Sequence, residues 1–126
     1  MNWEPSAELH VLRKRAQLLD LVRCFFAARG VLEVETPVLG SSGITDPNIE
    51  PLLVVGGRSI GKPRYLQTSP EYAMKRLLAA HKQAIYQITR AFRDGEAGSR
   101  HNPEFSILEW YRPDFSHHDL MDEVAE

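Results

Sequence analysis

The sequence predicts an α+β fold, a mainly antiparallel sheet flanked by helices, on three observations. Residues 85–92 alternate, with Ile85, Gln87, Thr89 and Ala91 facing one way and Tyr86, Ile88, Arg90 and Phe92 the other, the period of a strand. Residues 105–112 have the same character. The twelve residues 93–104 between the two runs are too many for a tight turn, so the strands form a hairpin around a long polar loop. Finally, Leu9, Leu12, Ala16, Leu19, Val22 and Phe26 recur at helical spacing.

In order along the chain, Pro5 and Ser6 predict a helix start, with Ser6 as the cap and Ala7 and Glu8 in the first turn. Gly30 predicts its stop, after about six turns at the usual pitch. The opposite positions Arg13, Lys14, Arg15, Gln17 and Asp20 are polar, so the apolar stripe is expected to bury against a neighbour. Cys24, the only cysteine, lies mid-helix among Val22, Phe25 and Phe26; it has no partner for an internal disulfide and is expected to act as a small buried hydrophobe.

Residues 29–39 run from a helix end into a short extended segment closed by Pro37, which cannot donate to a ladder. Residues 40–47, small and polar, form a loop. Residues 50–55 and 65–67 read as a hairpin turning at Gly56 and Gly57, with a solvated basic tip at Arg58, Lys62 and Arg64. Ser69 then caps a second helix, with Pro70 at its first position and Glu71 where the helix dipole favours a carboxylate. It continues over residues 72–80 with Met74, Leu77 and Leu78 inward. A third helix is predicted over residues 116–126, with Leu120, Met121 and Val124 on one side, and the sequence ends inside it.

The chain's 126 residues, 43% apolar and 25% charged, suffice for one domain's core. A net charge of −2 with interspersed signs gives no basic stripe for nucleic acid, so any RNA contact is local. No apolar run reaches the length of a membrane span, and the first residues lack the pattern of a signal peptide, so the expected compartment is the cytoplasm, with no membrane partner. His117, His118 and Asp119 form the only histidine cluster, but adjacent residues on a helix diverge by about 100°, so no metal site is expected there.

The polar loop has the residue types of a site. Arg93 ends a strand, so its stem is fixed while its planar fork suits bidentate capture of a phosphate or carboxylate. Gly95 and Gly98 let the backbone approach a ligand. Phe105 offers a flat face on which a base can stack. Glu109 and Tyr111, two residues apart, share a strand face. Each also has a plainer reading: a surface Arg–Asp pair, a core Phe, a capped helix at Ser69 to Glu71, a polar strand face.

Together, Phe92-Arg93, the loop, Arg100-His101-Asn102-Pro103-Glu104-Phe105 and Leu108-Glu109-Trp110-Tyr111 resemble motif 2 of the class II aminoacyl-tRNA synthetases in its lysine-type form. The helix end, strand and Pro37 resemble motif 1 of that family, which implies a homodimer through residues 30–37, from Gly30 to Pro37. The resemblance implies the class II catalytic fold and a division of roles. Arg93 is the catalytic cation; Arg93, Asp94, Gly95, Glu96, His101, Asn102 and Phe105 bind ATP; Ser69, Pro70, Glu71, Glu109 and Tyr111 bind the amino acid, Glu71 taking its amino group. It implies lysine or (R)-β-lysine as substrate, with ATP and Mg2+, and assigns no metal ligand in this stretch. The loop of residues 40–47 would lie by the substrate's amino end.

The first helix begins within ten residues of Met1, which leaves no room before it for the anticodon-binding barrel of a lysyl-tRNA synthetase. The run Leu108-Glu109-Trp110-Tyr111-Arg112-Pro113 is similar to the stand-alone branch that attaches lysine to translation elongation factor P, so that factor, not tRNA, is the expected acceptor. Two departures stand out. The family pattern has Glu two positions after the motif 2 Arg, where this sequence has Gly95 and then Glu96, so the acidic role stays open between Asp94 and Glu96. Motif 3, with its second Arg and the acidic magnesium ligands, is absent, so the sequence is expected to be the N-terminal portion of one catalytic domain, inactive alone. Two other readings remain: a lysyl-tRNA synthetase fragment, distinguished by its acceptor, and a non-catalytic paralog acting by binding, distinguished by dimerisation without ATP binding.

Overall fold

A computed structural model describes residues 3–56 and 62–126. In chain order the elements are α1 (Leu9–Ala28), β1 (Leu32–Glu33), β2 (Leu39–Gly40), β3 (Leu53–Val54), β4 (Arg64–Leu66), α2 (Glu71–His81), β5 (Ile85–Phe92), β6 (Glu104–Tyr111) and α3 (His117–Ala125). One sheet has the order β1-β5-β6 and the other β2-β4-β3. β5 and β6 are antiparallel from Ile85 opposite Tyr111 to Phe92 opposite Glu104, the expected hairpin, with the return strand starting one residue earlier than expected. The pairings of β4 with β2 and β3 are also antiparallel, and β1 adds a parallel edge to β5. The α+β expectation of a mainly antiparallel sheet holds among the described residues.

Because paired residues of an antiparallel ladder share a face, the hairpin has two different sides. Tyr86, Ile88 and Trp110 face α1. Phe26 stacks on Tyr86 with ring centroids 4.4 Å apart and lies 5.7 Å from Trp110, and Phe26, Val31 and Tyr86 form the buried cluster. Emptying the Phe26 position to Ala costs about 3–5 kcal/mol at such a site. Gly30 ends α1 as expected: at φ 66° it lets the Val31 N–H reach the Phe26 carbonyl at 3.0 Å and its own N–H reach Ala27 at 3.1 Å. That turn delivers Val31 beside Phe26. The Tyr86 hydroxyl donates to Glu33 at 2.9 Å, and Arg23 holds the same carboxylate at 3.1 Å, tying α1, β1 and β5 together.

The other side of the hairpin carries Ile85, Gln87 and Ala91, all buried, and Met74 of α2 is fully buried. Gln87 is satisfied by Thr36, whose hydroxyl donates at 2.9 Å. Gln67, just after β4, donates to the Thr89 hydroxyl at 3.2 Å and the Arg90 carbonyl at 2.8 Å, and its own carbonyl accepts from Phe92 at 2.9 Å. These bonds fix the small sheet against the end of β5, where the polar loop begins.

Several expectations need correction. Ser6 does not cap α1; the N-cap is Glu8, with no side-chain cap bond, because its carboxylate turns to His10 at 3.1 Å. The apolar stripe is buried only at its C-terminal end: Phe26 is buried and Leu19 and Val22 half-buried, whereas Leu9, Leu12 and Ala16 are exposed. Arg15, expected on the outer face, instead donates to Ser106 of β6 at 2.8 Å. Cys24 is exposed, since it points about 200° around the helix from Phe26, away from the sheet. Met121 and Val124 of α3 are exposed, and Glu123 is the side chain that turns inward. The Gly57 and Arg58 part of the expected basic tip lies outside the described residues.

Candidate active site

Ser69 is where the second helix and the hairpin meet. Its hydroxyl accepts from the Glu71 N–H at 3.1 Å and donates to Glu109 Oε2 at 2.8 Å, although α2 starts at Glu71 with Pro70, not Ser69, in the N-cap position. Pro70 is buried in helical conformation, so α2 enters rigidly. The Tyr111 hydroxyl donates to the other oxygen, Glu109 Oε1, at 2.6 Å. Glu109 is thus held by one hydroxyl from each side, half-buried on β6. Burial, then the hydrogen bond to Glu109 and the charges of Glu109 and Glu71, push the Tyr111 hydroxyl well above the usual tyrosine range, so it stays a donor. Glu71 is near enough to act on Tyr111, and its own carboxylate pairs with Lys75 one turn along α2.

Of these groups Ser69, Glu71 and Glu109 open onto a cleft of about 600 Å³, lined also by Asp46, Tyr72 and Arg93; Pro70 and Tyr111 do not line it. One wall is the loop after β2, latched to α2 by a hydrogen bond of 2.6 Å between the Thr45 and Tyr72 hydroxyls. Arg93 lines the same cleft as the carboxylates. Its Nε donates to the Thr68 carbonyl at 3.3 Å, its Nη1 lies 3.6 Å from Glu96, and its guanidinium carbon is 5.1 Å from the Phe105 ring centroid. Arg93 and Phe105 therefore form one surface, a cation beside an aromatic face. The cleft lining carries three carboxylates, Asp46, Glu71 and Glu109, and one guanidinium, Arg93, a set that suits a molecule with an ammonium group and an anionic group.

The two acidic residues of the loop turn different ways: Glu96 turns to Arg93, while Asp94 accepts from the Gly95 N–H at 2.8 Å and gives its own N–H to the Glu50 carbonyl at 2.7 Å. Gly95 between them has φ 73°, the left-handed conformation that glycine adopts without steric cost. His101 bridges back to Gly98 through its backbone, and His101 and Asn102 are exposed, outside the cleft lining. Sequence reasoning missed Asp46, Thr45 and Tyr72, whose place depends on a loop conformation, and Glu123. The Glu123 carboxylate accepts from Trp110 Nε1 at 2.9 Å and lies 3.5 Å from Arg112, bracing the end of β6 that carries Tyr111. An inward Glu on an otherwise polar helix face leaves no periodicity signal. Among the described residues no group of three His, Cys, Asp or Glu side chains is gathered to hold a metal ion.

This combination of hairpin, capped helix and opposed charges defines a class. Residues 3–126 match the family described as tRNA synthetases class II (D, K and N), and the chain belongs to that family. Within it, the chain is 51% identical over 128 residues to the elongation factor P–(R)-β-lysine ligase of Yersinia enterocolitica, 52% over 130 residues to that of Haemophilus influenzae, and 54% over 129 residues to that of Mannheimia succiniciproducens. These matches cover 99%, 99% and 98% of this chain and 39%, 40% and 39% of the relative. The chain thus spans about two-fifths of the length of the curated relatives it matches.

Proposed function

We propose that this protein activates (R)-β-lysine, or lysine, with ATP and transfers the acyl group to a lysine side chain of translation elongation factor P. The observation that carries the reading is Glu109, gripped by the Ser69 and Tyr111 hydroxyls and lining one cleft together with Arg93. The names of the relatives support the choice of amino acid and acceptor. The substrate's ammonium groups lie against Glu71, Glu109 and Tyr111, the first after displacing Lys75. Its carboxylate oxygen attacks the α-phosphorus of ATP, the new O–P bond forms as the bond to pyrophosphate breaks, and Arg93 neutralises the charge on the transferring phosphoryl group. Fixing both ends of the amino acid turns the encounter into a positioned reaction. Phe105 stacks on the adenine, with Asn102, His101 and the backbone of residues 93–95 alongside. In the second step an acceptor amine attacks the acyl carbon and AMP leaves.

The exposed apolar residues of α1, among them Leu18 and Leu21, support a homodimer packed through α1 and the segment that follows it. A reaction that consumes ATP and modifies a translation factor belongs in the cytoplasm. The test is ATP–pyrophosphate exchange by the protein as its cell makes it, with (R)-β-lysine and lysine compared, followed by transfer of labelled amino acid to elongation factor P or to tRNA. Lysine-dependent exchange with label on elongation factor P is the expected result. Label on tRNA alone makes the protein a lysyl-tRNA synthetase, and no exchange with either amino acid overturns the enzymatic reading.

A further inference from the structure

Beside the first turn of α2 lies a second cavity, of about 310 Å³, between the loop after β2, the strand β4 and α2. It adjoins the cleft above, since Ile44, Ser69, Glu71 and Tyr72 line both. The two have opposite charge. Asp46, Glu71 and Glu109 outnumber Arg93 in the first, whereas the second carries Arg64 from β4 and Arg76 from α2, with only Glu71 against them. That carboxylate is engaged by Lys75. The side chain of neither Arg64 nor Arg76 makes an ion pair or hydrogen bond with any described residue, although other arginines of the chain, such as Arg23, Arg29, Arg90, Arg93 and Arg112, are paired. Leu39, Leu66 and Ala73 are among its apolar lining, and Ser41, Ser42 and Gln67 among its uncharged polar lining.

Two guanidinium groups without counter-ions at one small recess attract an anion and repel a diammonium substrate. We infer that this recess receives an acidic side chain of the acceptor protein, docking it beside the amino-acid site. The inference rests on the proposed transfer reaction. A carboxylate on a flexible side chain fits the recess, its stem against Leu39 and Leu66 and its oxygens on the two forks. An RNA strand needs a groove that follows several phosphates and platforms on which bases stack, and the recess is a single pit on a chain of net charge −2.

The test uses the protein as its cell makes it, with Arg64→Gln/Arg76→Gln and the charge-keeping Arg64→Lys/Arg76→Lys. Both positions are exposed, so the fold tolerates either pair. With the Gln pair, the KM for elongation factor P rises roughly tenfold or more, the loss of one charge-assisted contact, while lysine-dependent pyrophosphate exchange is unchanged. The Lys pair restores part of the effect. An unchanged KM for the factor overturns the inference. So does a parallel loss of pyrophosphate exchange, which makes the recess part of the amino-acid site, or a selective loss of transfer to tRNA, which makes its ligand RNA. If the wild type itself performs no exchange, the proposed reaction has failed, and a short poly-glutamate peptide becomes the probe. Binding of that peptide to the wild type and not to the Gln pair upholds the anionic recess, and equal binding to both overturns it.

Discussion

Replacing Glu109 by Gln removes one negative charge from the acidic end of the cleft and leaves the shape of β6 unchanged. In the wild type each carboxylate oxygen accepts one hydroxyl, from Ser69 at 2.8 Å and from Tyr111 at 2.6 Å. An amide keeps one acceptor, and the hydroxyl facing its NH2 group can rotate to accept instead. The folding cost is therefore confined to lost charge assistance, about 1 kcal/mol. The binding cost is larger. A substrate ammonium forfeits a charged partner worth about 1.5–3 kcal/mol, which is roughly a ten- to hundredfold rise in KM. Pyrophosphate exchange with amino acid and ATP varied in turn measures both constants. The KM for the amino acid should rise by that factor with the KM for ATP unchanged. An equal rise in both, or no rise in the first, refutes the assignment of Glu109 to the ammonium group.

Three further outcomes are expected. Glu123→Ala strips the partner from Arg112, whose side chain is 13% exposed against 6% for Glu123, and should cost about 2–4 kcal/mol in urea unfolding; a loss of a few tenths would show that the pair is solvated. Leu21→Glu, at a residue 66% exposed, should leave the fold intact and convert a dimer to a monomer in sedimentation, whereas an unchanged mass removes α1 from the interface. Burial, with the hydrogen bond and charge of Glu33, pushes Tyr86 up to about 12 from 10.0. Its folded value lies above the unfolded one, so its contribution is complete below pH 10 and is lost as pH rises towards 12; Tyr86→Phe should flatten that part of the alkaline stability curve, and an unaltered slope would assign it to other groups.

Much of the site was legible because its determinants are local. The strand of residues 85–92 was read with its observed bounds and its partner within one residue, since alternation fixes which face each side chain takes. Ser69, Pro70 and Glu71 announced the start of α2 through cap chemistry that involves only neighbours in sequence. Gly30 announced the end of α1 for the same reason. Ser6 fails as a cap because α1 begins only at Leu9, with Glu8 in the N-cap position. Cys24 and the front half of α1 failed because a helical period says which residues share a face and not how far a neighbour extends along it.

By itself the sequence determined the hairpin, the capped helix entry and the pattern of residues that marks the family, all set by backbone preferences and short-range periodicity. Only the tertiary structure decided that Ser69 and Tyr111 grip Glu109 from two sides, that Glu96 and not Asp94 turns to Arg93, and that Glu123 braces the end of β6. Apart from the bond between Tyr111 and Glu109 within β6, those contacts join residues distant in sequence or depend on the turn of the polar loop, and their geometry exists only once α1 has been packed on one side of the hairpin by the burial of Phe26 against Tyr86 and Met74 of α2 has been buried.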